Sequence, residues 1–141
     1  MTENSRRLVA LLFVKGESVR VPDKNFRRLG DRPLFRWIVD TVLRLPSVER
    51  LLINTDVGER LVESGLPEDT RIRVQDRAPA LCGNDVTANA LLRPMVAAEE
   101  AERYLLVHAT CPFLQADTIT RALTLYDQAI VQGTGDSLFG V

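Results

Sequence analysis

Seven apolar residues in a row, Leu8-Val9-Ala10-Leu11-Leu12-Phe13-Val14, do most to limit what this chain can fold into. An uninterrupted run, without the alternation of a half-exposed hairpin, describes a strand covered on both faces, as the central strands of parallel sheets are. It opens directly into Lys15-Gly16-Glu17-Ser18-Val19-Arg20-Val21-Pro22-Asp23-Lys24-Asn25. Open α/β sheets bind ligands at the loops leaving the carboxyl ends of their strands. This loop offers the ammonium groups of Lys15 and Lys24, the amide of Asn25, and backbone N–H groups around Gly16 and Ser18, all of which suit phosphate. It is not a Walker loop, because no Gly-Lys-Ser/Thr follows, and its single glycine excludes a dinucleotide fingerprint. The competing reading is a solvated surface turn, the ordinary fate of a charged stretch.

The 141 residues fit one domain, 1–141, with a single core. A formal net charge of −1 argues against a dedicated nucleic-acid binder, so any affinity for polyanions must be local. Residues 1–7 are polar, and the apolar run behind them is too short for a membrane span and lacks a signal-peptide cleavage pattern. Cys82 and Cys111 stand apart, with one histidine in the whole chain to share a metal. Reduced, buried thiols in a cytoplasmic protein are the expectation.

The remainder alternates apolar runs with amphipathic segments, a βαβ rhythm without repeats. Asp31 is placed to cap a helix with Pro33 in its first turn; Leu34, Trp37, Ile38, Thr41, Val42 and Leu45 recur at helical spacing until Pro46 ends it. Arg50 to Thr55 forms the next strand, with Asn54, Thr55 and Asp56 at its carboxyl end, and a short helix from Gly58 to Ser64 follows. Arg71-Ile72-Arg73-Val74 alternates as an edge strand does. A loop from Gln75 to Asp85 carries Arg77, and Thr87 to Glu102 reads as a helix with Pro94 inside it. Tyr104 to Val107 is a second fully apolar strand, ending in His108-Ala109-Thr110-Cys111-Pro112-Phe113. Asp117 sits where a cap belongs, ahead of an apolar stripe of Ile119, Ala122, Leu123, Tyr126 and Ile130. Asp136 to Val141 reads as the start of another strand, which suggests a truncation, a chain trimmed to its ordered part, or a natural fragment.

Taken in order, Lys-Gly-x-Ser-x-x-x-Pro-x-Lys-Asn, then Arg27, Leu29 and Arg32-Pro33-Leu34, resembles the first motif of the acylneuraminate cytidylyltransferases, the CMP-sialate synthetases. Its usual form there is Ala-Arg-x-Gly-Ser-Lys-x-x-x-x-Lys-Asn. Further along, Asn54-Thr55-Asp56 resembles the family's Ser-Thr-Asp; Arg77-Ala78-Pro79-Ala80-Leu81-Cys82-Gly83-Asn84-Asp85-Val86-Thr87 resembles Arg-Pro-x-x-Leu-Ala-x-Asp-x-x-Ser. His108 to Phe113 resembles Gln-Pro-Thr-Ser-Pro-Leu, and Asp136-Ser137 the Asp-Ser of the following strand.

The resemblance implies a Rossmann-like nucleotidyltransferase fold of the nucleotide-diphospho-sugar transferase type, a mainly parallel sheet with helices on both faces. It implies transfer of CMP from CTP to a nonulosonic or related 2-keto sugar acid, with pyrophosphate released and Mg2+ assisting, in a cytoplasmic homodimer. By position, Lys15 and Lys24 would be the catalytic cations, since phosphoryl transfer needs positioning and charge neutralisation more than covalent help. Gly16, Ser18, Arg20, Asn25, Arg77, Asp85 and Thr87 would complete the nucleotide site, with His108 and Thr110 on the acceptor. The family's dimerisation segment and metal-binding aspartates would lie beyond these residues, leaving no metal ligand within them.

Four departures bear on this. Val19 stands where the family has a lysine, Arg20 replaces a glycine, Glu17 a small residue, and Leu114 an arginine. Loss of one phosphate cation weakens triphosphate binding by about 1.5 to 3 kcal/mol unless Arg20 replaces it. Structural readings also stand beside the functional ones. Arg77 could be a surface arginine paired with Asp76 or Asp85; Asn84, Asp85 or Thr87 could be helix caps; Asp56 could cap its strand, and Thr110 and Cys111 could shape the turn before Pro112. His108 could be a hydrogen-bonded structural histidine. The whole domain could bind nucleotide without catalysis, or serve a different acceptor.

Overall fold

The computed structural model describes residues 6–140; residues 1–5 at the polar start and Val141 of the expected last strand lie outside the described residues. The apolar run is strand β1 (Leu8–Val14) at the centre of the sheet. It is followed by a 3-10 turn (Lys24–Phe26) and a two-residue hairpin of β2 (Arg28–Leu29) and β3 (Arg32–Pro33). Then come α1 (Leu34–Leu43), β4 (Val48–Thr55), α2 (Gly58–Glu63), β5 (Ile72–Asp76), α3 (Ala88–Ala98), β6 (Arg103–His108) and α4 (Ala116–Gln132).

The main sheet is parallel throughout, in the order β5-β4-β1-β6. Counted along the chain this is 3-2-1-4, and the direction of winding reverses between β1 and β6. Reversal leaves a crevice at the carboxyl edge that neither crossover covers, the usual ligand position in such sheets. Helices cover both faces. Leu8, Ala10, Leu12 and Val14 point into one core with Phe35, Ile38, Val39 and Val42 of α1, Leu61 of α2 and Ile119 of α4; Val9 and Leu11 meet Leu52 and Met95 of α3 on the other side. Leu12 is fully buried, so Leu12→Ala would cost about 2–5 kcal/mol.

Several local expectations shift. Asp31 does not cap α1: it lies in the hairpin turn, where Arg32 binds its carboxylate and holds it below the usual carboxylate range, and Pro33 takes the N-cap position. The hairpin demands this, because Arg32 and Pro33 pair with Leu29 and Arg28 before the helix begins. Gln115 rather than Asp117 precedes the first turn of α4, which leaves Asp117 inside that turn. Thr87 caps α3 as expected, its hydroxyl accepting the Ala90 N–H at 3.2 Å, and Pro94 lies within the helix.

β6 is not covered on both faces. Tyr104, Leu106 and His108 are exposed, because β6 is the outer strand and α3 packs over β1 and β4 instead. Asp136 to Gly140 forms no strand among the described residues. Both cysteines are free, but Cys82 is half-buried and Cys111 exposed, each in a segment at the sheet's carboxyl edge where the chain turns out to solvent. Among the described residues no helix is long and apolar enough to cross a membrane.

Candidate active site

Parallel register places the candidate residues. Val14 is opposite Thr55, Thr55 opposite Asp76, and Phe13 opposite His108, so Lys15, Asp56, Arg77 and Ala109 all leave the sheet along one carboxyl edge. A cleft of about 560 Å³ opens there, lined among others by Lys15, Ser18, Asp23, Asp56 and Asn84.

The loop after β1 is held in place from several sides. Gly16 donates its N–H to Asp56 Oδ1 at 2.8 Å, and Asn25, which is buried, donates Nδ2 to the Lys15 carbonyl at 2.9 Å. Asp23 turns the chain at φ 54°, in the left-handed region that aspartate tolerates better than most residues, and its carboxylate pairs with Arg60 at 2.9 Å. The Arg60 guanidinium lies 4.0 Å from the centre of the Phe26 ring. Gly16 is needed because a Cβ there would meet Val57 Cγ1 at 2.5 Å.

These contacts change two expectations. The Gly16 N–H already serves Asp56, so it is engaged within the protein, and Asp56 acts as the strand-end anchor. Asn25 likewise shapes the loop from beneath. Lys15 Nζ reaches across the cleft to Asn84 Oδ1 at 2.5 Å. Sequence reasoning considered Asn84 only as a cap; nothing in its local pattern reveals a partner 69 residues away.

Arg77 is neither exposed nor paired with Asp76 or Asp85. It is 8% exposed, donates Nε to Asn54 Oδ1 at 2.7 Å, and directs Nη2 to the Asn54 carbonyl at 3.4 Å. Asn54 in turn donates to Gln75 Oε1 at 2.9 Å, and Gln75 Nε2 donates to the Pro94 carbonyl of α3. Among the described residues the buried guanidinium has hydrogen bonds but no carboxylate partner, and buried charges are ordinarily paired.

Not everything converges. Of the expected site residues only Lys15 and Ser18 line the cleft; Gly16, Asn25 and Arg77 lie behind it, and Arg20, Lys24, Asp85, Thr87, His108 and Thr110 are not among its lining residues either. Arg20, Asp85, His108 and Thr110 are exposed, and Lys24 is half-buried. His108 points to the α3 side of the sheet, alternating with Val107 and Ala109, which face the α1 core. Among the described residues no three His, Cys, Asp or Glu side chains are grouped to hold a metal ion. Asp56 and Asp23 are moreover engaged by Gly16 and Arg60, so these residues do not by themselves make a magnesium site.

A parallel sheet in this order, with helices on both faces and a cleft at its carboxyl edge, is a doubly wound, Rossmann-like α/β arrangement of the kind nucleotidyltransferases use. Solved structures agree. CMP:2-keto-3-deoxy-manno-octonic acid synthetase complexed with CTP superposes with a TM-score of 0.68 at 14% identity, covering 86% of this chain and 48% of that one. Bifunctional IspDF from Campylobacter jejuni gives 0.68 at 12% identity, covering 86% and 31%. Rv0371c from Mycobacterium tuberculosis H37Rv, in complex with manganese, gives 0.62 at 14% identity, covering 84% and 59%. The chain thus spans less than two thirds of each. The sequence profile of the family described as cytidylyltransferase matches residues 9–134, and the chain belongs to that family. No curated protein matches it in sequence.

Proposed function

We propose that this chain is a cytidylyltransferase domain that binds CTP at the carboxyl edge of the sheet and passes CMP to a nonulosonic or related 2-keto sugar acid, releasing pyrophosphate. The observation that carries the reading is Arg77, a buried guanidinium at that edge whose neighbours return no negative charge. A nucleotide bound over it would supply the missing acceptors. Lys15 would offset charge on the leaving phosphates, and the half-buried Lys24 and exposed Arg20 would join it through movement of their side chains on the same loop. Ser18 lies in the cleft and can donate to a phosphate oxygen. Gly16 and Asn25 hold the loop, while Thr87 caps α3 and Asp85 stands exposed at its approach. His108 at the end of β6 and Thr110 just beyond it, both exposed, would meet the acceptor. The family match supports cytidylyl transfer, and the 2-keto acid acceptor is carried over from the sequence resemblance.

The acceptor hydroxyl, giving up its proton to water, would attack the α-phosphorus as the bond to the pyrophosphate oxygen breaks, so charge builds on the leaving group. A cation fixed beside that group is worth most in such a step. Magnesium, as the companion of the triphosphate, is likewise carried over from the resemblance. The homodimer and the cytoplasmic setting are carried over from the resemblance.

One observation favours a second reading, a nucleotide-binding domain without turnover: Glu17, Asp23 and Asp56 line the cleft, and Lys15 is the sole cation among its lining residues. Pyrophosphate release with magnesium, each of the four nucleoside triphosphates and a panel of 2-keto sugar acids decides between them. Turnover with CTP and one acid establishes the first, CTP binding without release establishes the second, and a folded chain that binds no CTP at millimolar concentration ends both.

A further inference from the structure

Lys15 is fixed at its base and would otherwise be free at its tip. Its carbonyl accepts from Asn25 Nδ2 at 2.9 Å and the next N–H donates to Asp56 at 2.8 Å, so the backbone on either side of its stem is pinned. The four-carbon side chain beyond that point carries considerable rotamer freedom. Glu17, Asp23 and Asp56 line the same cleft, and any of them would be an obvious partner for an ammonium. Lys15 pairs with none of them. Its Nζ is held instead by the neutral amide oxygen of Asn84, 2.5 Å away on the segment that precedes α3.

That choice of partner has a chemical consequence. A carboxylate at this point would cancel the lysine's charge, whereas an amide fixes its direction and leaves the charge intact. An ammonium has three N–H donors, so the bond to Asn84 leaves two for an anion in the cleft. We propose that Asn84 is a positioning residue: it holds Lys15 across the cleft with its charge uncompensated, so that the ammonium is ready for the phosphates of the nucleotide. The inference rests on reading the cleft as a phosphate site. It also explains how one lysine can attract a polyphosphate into a cleft lined by three carboxylates. Two of those are already occupied, Asp23 by Arg60 and Asp56 by the Gly16 N–H.

The test is calorimetric titration of inorganic tripolyphosphate into the wild-type chain and the N84A, N84D, K15M and K15M/N84A variants, each shown to be folded by circular dichroism. Asn84 is exposed, so the fold should tolerate all of these changes. N84D is expected to weaken tripolyphosphate at least tenfold, since a carboxylate captures the ammonium and repels the ligand. N84A should weaken it three- to tenfold when Lys15 is present and by less than twofold in the K15M background. N84D binding within twofold of wild type would overturn the proposal. So would an N84A effect that persists undiminished without Lys15, or a wild-type chain that binds no tripolyphosphate. Parallel titration of CTP keeps the two readings apart. Tripolyphosphate binding coupled to Asn84 with no binding of CTP ends the nucleotide reading and leaves this one standing, while CTP binding indifferent to N84D does the reverse.

Discussion

Arg77→Met separates a residue kept for its ligand from one kept for the fold. The substitution retains an unbranched apolar stem and removes a guanidinium that is 8% exposed. It gives up the bond from Nε to Asn54 Oδ1 at 2.7 Å, a charge-assisted contact contributing about 1.5–3 kcal/mol. The bond from Nη2 at 3.4 Å is long enough to add little. Against this, burying an ion carries an effective penalty of several kcal/mol, which a paired carboxylate would offset and a neutral amide offsets only in part. Methionine also leaves the buried Asn54 Oδ1 without its donor, so the opposing terms roughly balance and the free variant stays within about 1 kcal/mol of wild type. For a chain of 141 residues that is a Tm within about 3 °C of wild type. Nucleotide binding should fall far more: a lost charged hydrogen bond to ligand corresponds to about a 10- to 150-fold weaker Kd for CTP. Differential scanning calorimetry and CTP titration on the same preparations read both. A variant destabilised by more than about 2 kcal/mol with CTP affinity intact would show that Arg77 serves the sheet and not a nucleotide.

Two further expectations concern the scaffold. Glu99 is buried and receives Arg73 at 2.6 Å and Arg7 at 2.7 Å, with Arg50 at 3.4 Å; burial pushes its carboxyl up, but the arginines outweigh it and hold it below its ordinary value of 4.5. A lowered folded value means the stabilisation is complete above 4.5 and is lost as pH falls through the folded pKa. Glu99→Gln should therefore cost about 2 kcal/mol at pH 7 in urea unfolding, with the gap to wild type closing below about pH 4.5; a gap that stays constant to pH 3 would contradict it. Gly16→Ala would drive a methyl group to 2.5 Å from Val57 Cγ1 and should destabilise by about 1–3 kcal/mol, with Val57→Ala in the same chain restoring most of the loss.

Much of the architecture was legible from local pattern. The run from Leu8 to Val14 identified a central strand, because only a strand covered on both faces keeps seven apolar residues together. Alternation in Arg71 to Val74 marked the edge strand β5, and Thr87 marked the start of α3. The same reasoning failed on β6: Tyr104 to Val107 is as apolar as a buried strand should be, yet nothing in those residues says that α3 will pack elsewhere. Asp31 and Asp117 failed as caps for a related reason, since a capping residue type is common wherever chains turn and the hairpin and the turn before α4 set the actual starts.

By itself, then, the sequence determined the order of strands and helices, the apolar faces that bury, and the loops in which cations gather, because each depends on neighbours a few residues away. Only the tertiary structure decided what those cations do. Parallel register brought Lys15, Asp56 and Arg77 to one edge, turned Arg77 inward onto Asn54, and set Lys15 against Asn84. Such pairings join residues 23 to 69 positions apart, and their energies depend on burial and charge that exist only once the sheet has formed.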